Sequence, residues 1–146
     1  MQELRVSIVQ TNIVWENKQE NLRLLRDKLQ MLHGTTEIVV LPEMFSTGFS
    51  MNSRKLAEPI SGETIQILKN WAGEFQFAIA GSFICSEQGS YYNRAFFITP
   101  EGEEYYYDKR HLFRMGQEAE HFSSGDSKLI ISYREWNICL LVCYDL

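Results

Sequence analysis

Three residue types that can act together on an acyl carbon stand at the ends of apolar stretches in this 146-residue sequence. Trp136 to Val142 is an apolar run that reads as a buried strand, and it delivers a thiol, Cys143, at its carboxyl end. Val39-Val40-Leu41-Pro42-Glu43 ends a second apolar stretch in a carboxylate, and Tyr106-Tyr107-Asp108-Lys109 ends a third in an ammonium. A thiol attacks as its thiolate, so it needs a base to take the proton or a cation to hold the anion. Glu43 and Lys109 offer those two functions. Taken singly, each residue has a plainer reading. A Cys in an aliphatic run is usually core, a glutamate after a proline can cap a local turn, and most lysines are solvated. What joins them is geometry, because the carboxyl ends of neighbouring parallel strands meet at one edge of a sheet.

Rival constellations are weaker. Cys143 with His111 or His121 as base would make a papain-like pair, but nothing in the sequence positions either histidine. The three Cys form no CxxC pair, and the two histidines lie ten residues apart, so no zinc site is indicated. Cys139 and Cys85 read as core.

The elements that would position these groups follow from periodicity and turn residues. Leu4 to Gln10 alternates as a first strand. Asn17 to about His33 reads as a helix with Leu22, Leu25, Leu29 and Leu32 on one face and Gly34 as its stop. Glu37 to Leu41 is a buried second strand, which completes a βαβ unit and a parallel pair. A second helix starts near Ser61 as N-cap, with Ile65, Leu68, Ala72 and Phe75 as its inner stripe. Phe77 to Ile84 is a third strand. Tyr91 to Thr99 and Glu103 to Tyr107 form a hairpin around Pro100-Glu101-Gly102. Residues 110–127 read as an irregular polar loop, and loops of that length in compact domains are usually functional or disordered. Lys128 to Tyr133 and Trp136 to Val142 form a last hairpin around Arg134-Glu135. The class is α/β with a mixed sheet.

Composition narrows the partners. A net charge of −5 without a basic cluster argues against nucleic acid, and no stretch approaches the ~20 apolar residues that span a bilayer. Met1-Gln2-Glu3-Leu4-Arg5 lacks the basic and apolar regions of a secretory signal. An odd number of unpaired Cys fits a reducing, cytoplasmic setting. The length is that of one domain.

Together these stretches resemble the nitrilase, or carbon–nitrogen hydrolase, superfamily. The resemblance runs from residue 4 to the last. It is strongest at Leu41-Pro42-Glu43-Met44-Phe45, at Asp108-Lys109-Arg110-His111-Leu112-Phe113 and at Val142-Cys143-Tyr144-Asp145-Leu146. It implies a nitrilase-like αββα sandwich with mixed sheets, and a triad in which Glu43 is general base, Lys109 the cation and Cys143 the nucleophile. A second glutamate in the loop after the lysine matches Glu118, with Glu120 as its rival. The backbone N–H of Tyr144 is expected to share an oxyanion with Lys109. No metal or organic cofactor is implied.

The wording of Lys109 to Met115 and of Phe45 to Phe49 is most similar to the bacterial omega-amidase branch. That branch hydrolyses the terminal amide of 2-oxo-dicarboxylic acid monoamides such as 2-oxoglutaramate. Alternatives are N-carbamoyl amino acids, other small amides or nitriles, or a non-catalytic fragment of the same fold. Members of the superfamily continue past the Cys strand, so residues 1–146 are expected to supply roughly the N-terminal half of the sandwich. The full-length form is expected to be a homodimer. A chain of this length should leave apolar sheet surface uncovered.

Overall fold

A computed structural model describes residues 3–146. Met1 and Gln2, where the stretch read as lacking a secretory signal begins, lie outside the described residues.

The main sheet contains β1 (Val6–Ile8), β2 (Ile38–Val40), β3 (Ala78–Glu87), β4 (Ser90–Ile98) and β5 (Glu104–Asp108), in that spatial order. The first three are parallel, and β4 and β5 are added as antiparallel hairpins. β5 is therefore parallel to β2, and the carboxyl ends of both point to one edge. They are not neighbours as expected, since β3 and β4 lie between them. β1 and β2 are shorter than the sequence suggests. Single contacts extend the ladder beyond them: the N–H of Val9 donates to Val40 O (2.9 Å), and that of Leu41 to Ala80 O (2.7 Å).

Helix α1 (Lys18–Leu32) buries Leu22, Leu25 and Leu29, with Leu32 against the edge of the same core. The Asn17 side chain caps it by accepting from the N–H of Glu20. A one-turn helix, α2 (Ser53–Leu56), precedes the second expected helix and was not itself expected from the sequence. Helix α3 (Glu63–Phe75) buries the expected stripe, but its N-cap is Gly62 rather than Ser61. The capping oxygens come from upstream. Glu58 accepts from the N–H of Thr64 (3.1 Å) and from its hydroxyl (2.6 Å).

Strand alternation divides the core. Val39, Ile79, Phe96 and Ile98 face α1 and α3, while Ile38, Ala78, Ala80, Ala95, Phe97 and Tyr107 face the other way. A hairpin of β6 (Ile130–Tyr133) and β7 (Trp136–Cys139) covers this second face as a separate two-stranded sheet. Its turn is Arg134-Glu135, both with positive φ.

Here the sequence reading is corrected. β7 stops at Cys139 and is largely exposed, and Cys139 is exposed rather than core. Leu140 and Val142 turn inward while Leu141 turns out. Cys143 does not end a strand; it opens a 3-10 turn, Cys143–Asp145. Cys85 is buried as expected. The polar loop contains a 3-10 turn at Arg114–Gly116 and a short helix, α4 (Glu118–His121). On the hairpin face an apolar cleft of about 380 Å³ stays open between the sheet and residues 138–143, and Val6 and Ile8 of β1 are exposed. Among the described residues no helix is long and apolar enough to cross a membrane.

Candidate active site

The backbone carries Glu43 to the site along β3. The N–H of Met44 donates to Ser82 Oγ (2.9 Å) and that of Phe45 to Ser82 O (3.2 Å), so the chain after Pro42 stays pinned to the sheet. Met44 is held at φ 48°, a left-handed conformation uncommon outside glycine. Lys109 extends β5 by one residue, its N–H donating to Asn93 O on β4 (3.0 Å). Its odd-numbered register puts its side chain on the hairpin face with Tyr107. Asn93 shares that face with Ala95 and Phe97.

At the shared edge the Lys109 ammonium donates to Glu43 Oε1 (2.7 Å) and lies 3.0 Å from Glu118 Oε1. Its side chain and that of Glu118 have no exposure, and the Phe49 ring lies 5.6 Å from Nζ. Glu118 also accepts from the N–H of Phe113 (2.6 Å). Glu120, the rival, is exposed and outside this network. Asn93 closes the arrangement: Nδ2 donates to Glu43 Oε1 (2.8 Å) and to Glu118 Oε2 (2.9 Å). One amide and one ammonium thus hold both carboxylates. Sequence reasoning missed Asn93, whose only signal was an amide within a hydrophobic strand.

The electrostatics follow. Desolvation pushes the Lys109 pKa down, but hydrogen bonds and charge from Glu43 and Glu118 outweigh it, and the net shift is upward. Lys109 therefore stays charged at neutral pH. The Cys143 thiol is also pushed up, first by desolvation and then by the charge of Glu43; Lys109 pulls the other way. Lys109 favours the thiolate as the sequence argument expected, but burial and the Glu43 carboxylate outweigh it, and the net shift is toward the thiol. Cys143 has φ 43°. The N–H of Tyr144, next along the chain, donates to no group among the described residues. The Tyr144 ring packs edge-on against Phe113 at 5.6 Å.

His111 does not serve the thiol, since its Nδ1 lies 3.0 Å from Asp145 Oδ1. His121 is exposed on α4. Among the described residues no group of three His, Cys, Asp or Glu is placed to hold a metal ion. Glu43 and Cys143 line one cleft, with the Lys109 ammonium buried behind Glu43, and a thiol, a base and a fixed cation are the equipment for nucleophilic acyl transfer.

The family model for carbon-nitrogen hydrolase matches residues 5–146. Omega-amidase YafV of Yersinia enterocolitica is 37% identical over 100% of this chain and 56% of its own length. Omega-amidase YafV of Escherichia coli K12 is 35% identical over 98% of the chain and 55% of its own length. Among solved structures, XC1258 of Xanthomonas campestris, a CN-hydrolase superfamily protein with an arsenic adduct in its active site, superposes with a TM-score of 0.96. It shares 36% identity over 99% of this chain and 55% of its own. The chain spans about half the length of the curated relatives it matches.

Proposed function

The chain belongs to the carbon–nitrogen hydrolase family, and from that premise we propose that it carries the catalytic centre of an omega-amidase. The substrate class is the terminal amide of a 2-oxo-dicarboxylic acid monoamide such as 2-oxoglutaramate. The observation that carries the chemistry is Lys109, a fully buried ammonium held between Glu43 and Glu118 beside Cys143. The substrate class rests on relatives named omega-amidase that match the whole chain.

In this reading Glu43 takes the thiol proton as Sγ attacks the amide carbonyl. The C–S bond forms and the carbonyl oxygen becomes an oxyanion, received by Lys109 Nζ and the N–H of Tyr144. Such preorganised donors contribute several kcal/mol to the transition state. Glu43 then gives its proton to the departing nitrogen, ammonia leaves, and a thioester remains on Cys143. The same carboxylate takes a proton from water, whose oxygen attacks the thioester, and the acid and free thiol are released. Glu118 does not meet the substrate in this scheme; it fixes Lys109. The enzyme needs no cofactor or metal, acts on a free small molecule rather than on nucleic acid or membrane, and works as a cytoplasmic homodimer. Those last statements extend the family resemblance and the cysteine usage.

Ammonia release from 2-oxoglutaramate, measured for the wild type and for Cys143→Ala, tests the proposal. Release that disappears in the variant supports it. Turnover that survives the substitution overturns the thiol mechanism. Release from N-carbamoyl amino acids but not from 2-oxoglutaramate overturns the substrate class alone.

A further inference from the structure

Asp145 takes no part in the chemistry above, yet its carboxylate is one of the most completely engaged groups in the chain. Its side chain is 1% exposed. Oδ1 accepts from the N–H of Arg110 (3.1 Å) and of His111 (2.8 Å), with His111 Nδ1 at 3.0 Å. Oδ2 accepts from the Tyr107 hydroxyl (2.9 Å) and from the N–H of Val142 (3.0 Å). Three segments meet on this carboxylate: β5 through Tyr107, the loop that leaves Lys109, and the turn that carries Cys143. Two of them carry the cation and the nucleophile.

Cys143 needs such an anchor. A positive φ at a residue with a side chain costs of order 1–3 kcal/mol and persists only where the surroundings fix it. The 3-10 turn itself supplies little. Its backbone bonds are Asp145 N–H to Val142 O (3.0 Å) and Leu146 N–H to Cys143 O (3.2 Å), with none reaching β5. Leu140 and Val142 pack against the sheet before the turn, but the hydrogen-bonded link from the turn to β5 runs through the Asp145 side chain.

We propose that Asp145 is a positioning residue for the nucleophile: its carboxylate clamps the Cys143 turn to the segment that begins at Lys109, and so fixes thiol, ammonium and the Tyr144 N–H in one frame. The inference rests on the thiol role of Cys143. Two arms make the clamp, one to the Arg110–His111 loop and one to Val142 and Tyr107. Asp145→Asn preserves shape but breaks it, because in either amide orientation the NH2 group faces backbone N–H donors on one arm.

The test uses the protein with Asp145→Asn and, separately, Tyr107→Phe, which removes a single donor. A loosened turn leaves substrate binding intact and misplaces Sγ, and a 1 Å misplacement can cost about 100-fold. The Asn variant is therefore expected to lose about 100-fold in kcat with KM within about threefold, and Tyr107→Phe to show the same split with a smaller loss. A second readout needs no substrate. The pH midpoint of Cys143 alkylation by iodoacetamide, followed by fragment-resolved mass spectrometry, should fall toward an ordinary thiol value once the turn leaves Glu43. A folded Asn variant with unchanged kcat, or with an unchanged midpoint, overturns the proposal. Should Asp145→Asn fail to fold, Tyr107→Phe decides: kcat reduced at constant KM supports the clamp, and unchanged kcat overturns it. If the wild type releases ammonia from no amide, the functional reading fails. The alkylation midpoints still judge the clamp on their own.

Discussion

The buried ammonium of Lys109 is where chemistry and stability are tied most closely. Two carboxylates share it, and among the described residues neither has another cation within salt-bridge reach. Lys109→Met keeps the length of the stem and removes the charge, leaving Glu43 and Glu118 to repel each other. Breaking a buried pair from one side costs about 3–5 kcal/mol, so denaturant titration should show a loss of that order, together with loss of turnover. Asn93→Ala removes one donor from each carboxylate. An expected loss of about 1–3 kcal/mol should accompany a fall in kcat; an unchanged kcat would mean that Lys109 alone orients both groups. At this level the sequence shows the residues proposed to react but not their holders. Cys143, Glu43 and Lys109 stand out because a thiol, an acid and a base each close an apolar stretch. Glu118 came from resemblance. Asn93 and the role of Asp145 were invisible because an amide in a strand, or an acid in a turn, reads the same facing water or facing a partner.

Helices α1 and α3 follow directly from periodicity, because each has a polar outer face that marks its inner one, and the β4–β5 hairpin follows from its turn residues, since β4 is buried on both faces. The last hairpin misleads for the opposite reason. Ile138, Leu140 and Val142 point inward, but Cys139 and Leu141 on the outer side are apolar too, so an alternating segment reads as a continuously buried strand. A tight junction was equally hidden. Gly125 sends its N–H to Lys109 O (3.0 Å), and a Cβ there would overlap the Asp108 carbonyl. Gly125→Ala should push the end of β5 aside, costing about 1–3 kcal/mol and lowering kcat; a melting curve and a rate measurement check both.

The elements also fix a pH window. Burial raises the Glu58 pKa, but the hydroxyl and N–H of Thr64 and the Lys18 ammonium outweigh it, and the net shift is downward. Asp145 is likewise lowered, with burial opposed by the N–H groups of Val142 and His111. A depressed carboxylate contributes stability that is complete above its unfolded value of about 4 and is lost as pH falls through the lower folded value. Lys109 is raised, so its contribution is complete below about 10.4 and is lost as pH rises through the higher folded value. Stability should therefore be flat from about 4 to about 8.5, above which the raised Cys85 and Cys143 thiols begin to draw it down before Lys109 does. Circular dichroism against pH would show it, and Glu58→Gln should flatten part of the acid limb.

For the whole molecule the decisive feature is that the two faces of the main sheet are covered unequally. α1 and α3 seal one face. The other carries only the β6–β7 hairpin, and the cover fails at β1, where Val6 is 50% and Ile8 77% exposed. Beside them lies the open apolar cleft, with Trp136 exposed on the hairpin and Leu141 exposed just beyond it. β1 is also an edge strand whose outer backbone groups are free to pair. An uncovered apolar patch with an open edge is the usual route to association. The opposing force is a net charge of −5, screened over about 8 Å at physiological salt, which is short beside the width of the sheet. The 146-residue chain by itself should therefore bind an apolar dye and associate as concentration rises, more so as salt is added. Ile8→Lys is the sharpest check. Ile8 has little burial to lose, so the melting temperature should hold while light scattering and dye binding fall. A chain that stays monomeric and dye-free before the substitution would show that the hairpin and the charge together protect the face, and that the sheet needs no further cover.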